Sequence, residues 1–336
     1  MKYKLLLIFA ALAMTSVASF ASAKDAFTVQ LKWVAQSQFA GYFVAKAKGF
    51  YDEQGLDVAI KPGGPDVSPE QVIAGGGADV IVDWLPSALA AREKGLDLVN
   101  VAQIFTRAGN NITCLRDSGI ASPADFKGKR IGIIFGGNEF PFLAWASKLG
   151  LKLTGSTPDI TVIKQGFNVD PILNKQADCI STQIYNEYYQ ILDAGVPADK
   201  LITFFFADNG VATLEDGLYA LNSKLGDAAF ADRLARFVAG SIKGWQYAVD
   251  HIDEAAKIIV DADPAGVADL AVQKRQLGEI KKLIAPPAEG MGWLDPVAFD
   301  QSVAVLLSGT VDPVISKAPT NAWTHDIFDK AKKLAK

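Results

Sequence analysis

The sequence predicts an α/β fold of two lobes around a cleft, completed by a helical C-terminal tail. Three observations point there. From Phe27 onward, short apolar runs alternate with longer amphipathic ones, the pattern of strands joined by crossover helices in parallel sheets. That rhythm restarts near residue 107, so the chain carries two such units. Beyond Phe230 only helical periodicity remains.

In the first unit, "FTVQLKW" reads as a strand and "QFAGYFVAKAKG" as a helix stopped at Gly49, whose missing side chain suits a left-handed cap. "LDVAIK" is the next strand. A glycine turn follows, then a helix start with Ser68 as cap, Pro69 at the first position and Gln71 completing a capping box. "ADVIVDW", "LPSALAAREKG" and "LDLVNVAQIF" continue as strand, helix and strand. In the second unit "NITCLR", "KRIGIIF", "ITVIKQG" and "ADCISTQ" read as strands. Helices between them are expected in "NEFPFLAWASKLG", "VDPILNKQ" and "YNEYYQILDAG". "LITFFFADNGVATLEDGLYALN" is an extended passage that returns the chain. The run from Phe230 opens the tail, with further helices near 265–285 and 296–308. The assignment is a first lobe of residues 24–106 and 216–336 and a second of residues 107–215. Two connections, near 105–112 and 206–217, would let one lobe rotate against the other.

The first residues join Lys2 and Lys4 to an apolar run and end in Ala21-Ser22-Ala23, the arrangement of an export signal cleaved after residue 23. No other segment approaches the ~18 apolar residues that span a bilayer. The net charge of -4 is mild and the basic residues are scattered, which gives no footprint for nucleic acid. Cys114 and Cys179 could pair in an oxidising compartment or stay as two buried thiols; their separation lacks metal-ligand spacing. His251 and His325 read as solvated or capping residues.

In open α/β sheets, ligands bind beyond the carboxyl ends of the strands. Those positions hold Trp33, Gln36, Gln38 and Phe39 after the first strand, Gly63, Gly64 and Pro65 after the second, and Asp83, Trp84 and Pro86 after the third. In the second unit they hold Phe135 with Gly137, Asn138, Glu139 and Phe140, then Gln165, Phe167 and Asn168, then Thr182, Tyr185 and Glu187. Aromatic rings there can stack a flat ligand, each ring pair adding about 0.5–1.5 kcal/mol beyond burial. Amides and carboxylates accompany them, and Lys164 is the one cation expected among the strand ends. That balance favours a neutral or amine-bearing heterocycle over an anion, which would want arginine or bare helix N-termini.

Each residue also has a plainer role. Trp33 and Trp84 could pack the core, Asp83 and Asn138 could cap helices, and Tyr185 and Glu187 could belong to a solvated helical face. The coincidence of aromatics and amides at several equivalent strand ends is what raises the binding role. "FGGN" lacks the lysine, hydroxyl and spacing of a phosphate loop, and no nucleophile is paired with a histidine. Neither a cofactor nor a metal is expected.

"LKWVAQSQFAGYFVAKAKGFYDEQGLDVAI", followed by "GGPD", "VIAGGGADVIVDW" and "FKGKRIGIIFGGNEFPF", resembles the substrate-binding proteins of ABC importers related to the fungal thiamine-pyrimidine synthase. Bacterial members capture formylaminopyrimidine, hydroxymethylpyrimidine or, in one branch, riboflavin. The resemblance covers essentially the whole mature chain. It implies the type II periplasmic-binding fold, a periplasmic location, a heterocyclic ligand and a permease partner; a monomer is expected. It further implies ring stacking at Trp33 and Trp84, with Glu139 as a carboxylate partner and Asp83 and Glu187 as weaker matches. The enzyme branch uses an early histidine and lysine and a cysteine-rich motif. Here no histidine precedes His251 and the cysteines are isolated, so a binder is expected and an enzyme is not.

Overall fold

The structure, a computed structural model, describes residues 23–166, 168–308 and 313–335. The expected export signal, save its last residue, and Phe167 lie outside the described residues. The strands are β1 (Asp25–Gln30), β2 (Leu56–Lys61), β3 (Val80–Asp83), β4 (Leu98–Gln103), β5 (Asn110–Leu115), β6 (Arg130–Ile134), β7 (Thr161–Gln165), β8 (Cys179–Gln183), β9 (Leu201–Phe205) and β10 (Gly217–Leu221). They form two five-stranded sheets, ordered β2-β1-β3-β10-β4 and β7-β6-β8-β5-β9.

Both sheets have one topology, and neither is wholly parallel. β1 pairs in parallel with β2 and β3, whereas β10 runs antiparallel between β3 and β4. Likewise β6 is parallel to β7 and β8, and β5 lies antiparallel between β8 and β9. The reversed strand is in each case the one that enters from the other sheet. A chain that crosses the cleft arrives at the carboxyl end of the parallel strands and can only run back against them.

Apolar side chains alternate along these strands to serve two faces. Phe27 and Val29 of β1 and Val80 and Val82 of β3 meet Leu234, Phe237 and Trp245 in one core, while Ile81 turns to Leu85, Phe299 and Leu306 on the other side. In the second sheet Ile131 and Ile133 pack with Phe142 and Trp145, and Ile180 faces Ile172 and Ile191. Cys114 and Cys179 are direct partners in the β5–β8 register and form a disulfide.

The tail covers the first sheet. Its main helix, Ala228–Asp250, is capped by Asp227, which accepts the Ala229 and Phe230 N–H groups at 2.9 and 3.3 Å. It breaks at His251 before a second helix, Ile252–Ala262. Gly244 packs against Gly41 of helix Ala40–Ala47: a Cβ on Gly244 would lie 2.0 Å from the Gly41 carbonyl oxygen. Close passage of these helices therefore requires glycine on both sides.

The first strand ends three residues earlier than the sequence suggests. β1 stops at Gln30, and 31–36 form an irregular bend before the short 3₁₀ turn Ser37–Phe39. The bend is still pinned. Leu31 N–H donates to the Lys61 carbonyl at 2.9 Å, and Gly63 N–H donates to the Trp33 carbonyl at 2.8 Å. From the tail, Gln273 accepts the Ser37 N–H at 2.7 Å and the Ser37 hydroxyl proton at 2.9 Å.

Candidate functional site

The carboxyl ends of both sheets face one another across two adjoining cavities. The inner one, about 30 Å³, is lined by Trp33, Gln36, Gln38 and Trp84 from the first-sheet side and by Asn138, Tyr185 and Glu187 from the second. The outer one, about 350 Å³, lies beside Gly64, Phe135, Gly137 and Glu139. Lys32 and Trp33 border both.

Lys32 corrects the sequence expectation that Lys164 is the strand-end cation. With β1 ending at Gln30, Lys32 falls in the bend. Its Nζ sits 4.4 Å from the Trp84 ring centroid and donates at 2.9 Å to the carbonyl of Gly136, on the other side of the cleft. Lys164 is exposed on β7 and borders neither cavity. The turn at Gly136 permits this approach: Gly137 has φ +121°, and a Cβ there would lie 2.4 Å from Ser87 Oγ.

Behind the inner cavity stands Asp216, which the sequence reading missed. Its two carboxylate oxygens share a bifurcated bond from Gln38 Nε2, at 2.9 and 3.1 Å, and one of them accepts the Trp84 indole N–H at 3.3 Å. Gln38 in turn accepts from Gln36 Nε2 at 2.7 Å. A chain of hydrogen bonds thus fixes three cavity-lining side chains on one carboxylate. Burial pushes the Asp216 carboxyl up to about 6, against the opposing pull of Lys32 and of its two donors. Asp216 also adopts φ +36°, a left-handed backbone that costs a non-glycine residue energy and tends to mark functional positions.

Next to it, Glu215 joins the two crossings. Its carboxylate accepts the Gly109 and Asn110 N–H groups, each at 3.0 Å, and its backbone carbonyl accepts from Gln103 Nε2. Burial raises its carboxyl to about 8, although those N–H groups favour the charged form and Asp216 alongside disfavours it. The only signal for this pair in the sequence is Glu-Asp-Gly directly ahead of a strand.

The second-sheet side is organised by Glu187. It accepts the Gln183 backbone N–H at 2.8 Å and the Asn186 amide at 2.8 Å, and burial raises its pKa. Gln183, also absent from the sequence shortlist, ends β8 and lines the inner cavity. Glu139 accepts the Gly137 N–H at 2.7 Å and is likewise raised, chiefly by burial.

Several candidates stand elsewhere. Phe39 is wholly buried in the first core. Asp83 is buried behind the site, accepts the Trp84 N–H at 2.8 Å, and is pushed well above the usual carboxylate range by burial and by Glu70. It caps no helix, since Trp84 occupies that position at helix Leu85–Glu93. Asn168 is exposed, bonded to Asp170 Oδ2 at 2.6 Å, and borders neither cavity. Its strand, β7, is an edge strand separated from the central β8 by β6, so its loop ends away from the cleft centre. Asn138 makes no side-chain cap on helix Glu139–Lys148, which frees it from the plainer role considered above.

The model of the "NMT1/THI5 like" family matches residues 36–255, well over half of the chain. The chain belongs to the NMT1/THI5-like family. Among relatives of this NMT1/THI5-like protein, the formylaminopyrimidine-binding protein of Halalkalibacterium halodurans is 25% identical over 76% of this chain and 76% of its own. The riboflavin-binding protein RibY of Chloroflexus aurantiacus is 27% identical over 88% and 85%. The periplasmic aliphatic sulphonate binding protein of Escherichia coli superposes with a TM-score of 0.62 at 15% identity, covering 85% of each chain. The NMT1/THI5-like chain thus has the two-lobed periplasmic-binding-protein fold.

Proposed function

We propose that this protein is the exported solute-binding component of an ABC importer and captures a small planar heterocycle, a thiamine pyrimidine precursor, by lobe closure without chemistry. The observation that carries the reading is the inner cavity: two tryptophans and a tyrosine set among amides, with one lysine, Lys32, already bonded to the Gly136 carbonyl and set in the field of the buried Asp216 carboxylate. A site so balanced has no surplus cation for a sulfonate or phosphate, and its rings suit a flat neutral ligand. The relatives that bind formylaminopyrimidine and riboflavin support the same class.

Closure would turn the lobes, assigned as 24–106 with 216–336 and 107–215, about the crossings joined by Glu215. Ligand binding would hold the closed form, which a permease recognises in the periplasm. Trp33, Trp84 and Tyr185 are the stacking groups; Gln36, Gln38, Asn138 and Glu187 orient the ring. A riboflavin-like ligand is the second reading, favoured by the adjoining outer cavity of about 350 Å³, where Gly64, Gly137 and Glu139 could receive the rest of a larger molecule.

Thermal-shift titration tests both. A ligand at ~100 times its Kd raises stability by about 2.7 kcal/mol. Pyrimidine precursors should shift the melt and alkyl sulfonates should not; a shift with sulfonates alone would refute the reading. Trp33→Ala should weaken ligand binding at least ~10-fold, as expected for loss of a stacking partner.

A further inference from the structure

Most polar groups around the inner cavity are already engaged within the protein. Lys32 is bonded to Gly136, Gln36 to Gln38, Gln38 and Trp84 to Asp216, and Glu187 to Asn186. Gln183 differs. The residue is 95% removed from solvent and lines the cavity, and among the described residues neither its amide oxygen nor its amide nitrogen has a hydrogen-bond partner. Buried polar groups are nearly always paired, so an amide with both ends open calls for an explanation.

The main chain around it is tightly held. Gln183 N–H donates to Glu187 Oε2 at 2.8 Å, and its carbonyl accepts the Asn186 N–H at 3.0 Å. Space for the amide is kept by the neighbouring crossing: a Cβ on Gly109 would come within 3.0 Å of Gln183 Oε1 and 2.8 Å of Leu283. The backbone is fixed while the carboxamide is left open, which is the arrangement of a recognition group.

We propose that Gln183 reads the edge of the bound ring, selecting heteroaromatic ligands that carry a hydrogen-bond donor and an acceptor on neighbouring atoms. A carboxamide presents one donor and one acceptor in a plane, and it matches an amino group beside a ring nitrogen as it matches adenine in nucleic acids. An amide N–H beside a carbonyl in a ring satisfies it equally. This rests on the heterocycle-binding reading and narrows it: stacking accepts any flat ring, whereas Gln183 discriminates by edge. A site built to satisfy such a group rejects an analogue that leaves it unpaired.

The test compares wild type with Gln183→Met, which keeps the volume and removes both polar atoms. Calorimetric titration would use 4-amino-5-hydroxymethyl-2-methylpyrimidine, the same pyrimidine without its amino group, and riboflavin. For the edge-bearing compound that binds wild type, Gln183→Met should weaken binding by about 10- to 100-fold. The des-amino pyrimidine should bind both proteins equally weakly. In the ligand-free state the variant should melt at or above the wild-type temperature, because no internal bond is lost. Unchanged affinity in Gln183→Met, or equal binding of the amino and des-amino rings to wild type, would overturn the assignment and leave the heterocycle reading standing. A variant that melts well below wild type would give Gln183 a structural role and overturn it too. If none of the rings binds wild type, both readings fall together.

Discussion

The two sheets share one strand order, yet they are stabilised by different means. The first is buttressed by the C-terminal helices, whose Leu234, Phe237 and Trp245 complete its core. The second has smaller cores on each face and a covalent link, Cys114–Cys179, between its two central antiparallel strands. A larger unit can rely on buried apolar area, whereas a smaller one exposes proportionally more surface and gains more from a cross-link. Repetition of a topology therefore does not imply repetition of its energetics.

The sharpest way to break the first lobe alone is Gly244→Ala. The new Cβ would overlap the Gly41 carbonyl oxygen, and backbone cannot yield as a side chain does. We expect a loss of about 3 kcal/mol or more, at the upper end of overpacking costs, measured by urea unfolding. The second lobe should respond instead to replacement of both cysteines by alanine. Removing a link between residues 65 apart should cost about 2–4 kcal/mol, with native-state hydrogen exchange rising in β5–β9 before it rises in the first sheet.

A third effect belongs to neither lobe but to the crossings between them. The Glu215 carboxyl, ordinarily near 4.5, is raised to about 8 in the fold, so the folded protein holds a proton that the unfolded chain has released. Stability from this group is complete below pH 4.5 and is lost as pH rises towards 8. Asp216 acts in the same direction but only between 3.8 and about 6. Glu215→Gln should therefore flatten the pH dependence of the melting temperature between pH 6 and 8, and an unchanged slope would show that Glu215 does not titrate there. The smallest expected effect is that of Trp33→Ala on stability. Trp33 is only partly buried at the core's margin, so the ligand-free protein should lose about 1 kcal/mol or less, even where binding suffers.

Much of the architecture was legible because it rests on local pattern. "LDVAIK" became β2 residue for residue, Ser68 accepts the Gln71 N–H as a cap at 3.3 Å, and the passage after "LITFFF" does return the chain to the first sheet. The antiparallel strands were not legible, because strand direction is decided by where the chain crosses. Within the site, Trp33, Gln36, Gln38, Trp84, Asn138, Tyr185 and Glu187 were found by the strand-end rule and do meet at one cavity. Lys32 was hidden by reading β1 three residues too long. Asp216 and Glu215 were missed because they act from a crossing, where burial, not spacing, gives a carboxylate its role. Phe39 and Asn168 show the converse: nearness to a strand end in sequence does not say which way a side chain turns.

β5 and β9, the first and last strands of the second sheet, lie side by side, with Asn111 opposite Phe205. All five of its strands and its disulfide thus sit in one uninterrupted stretch whose two ends emerge together. To the rest of the chain this half is an insert between β4 and β10. Its two neighbouring ends make it a natural unit to exchange for a relative's at two junctions, carrying Gln183 and Glu187 with it while Trp33, Gln38 and Asp216 stay behind, so that half of the candidate site would become a replaceable part.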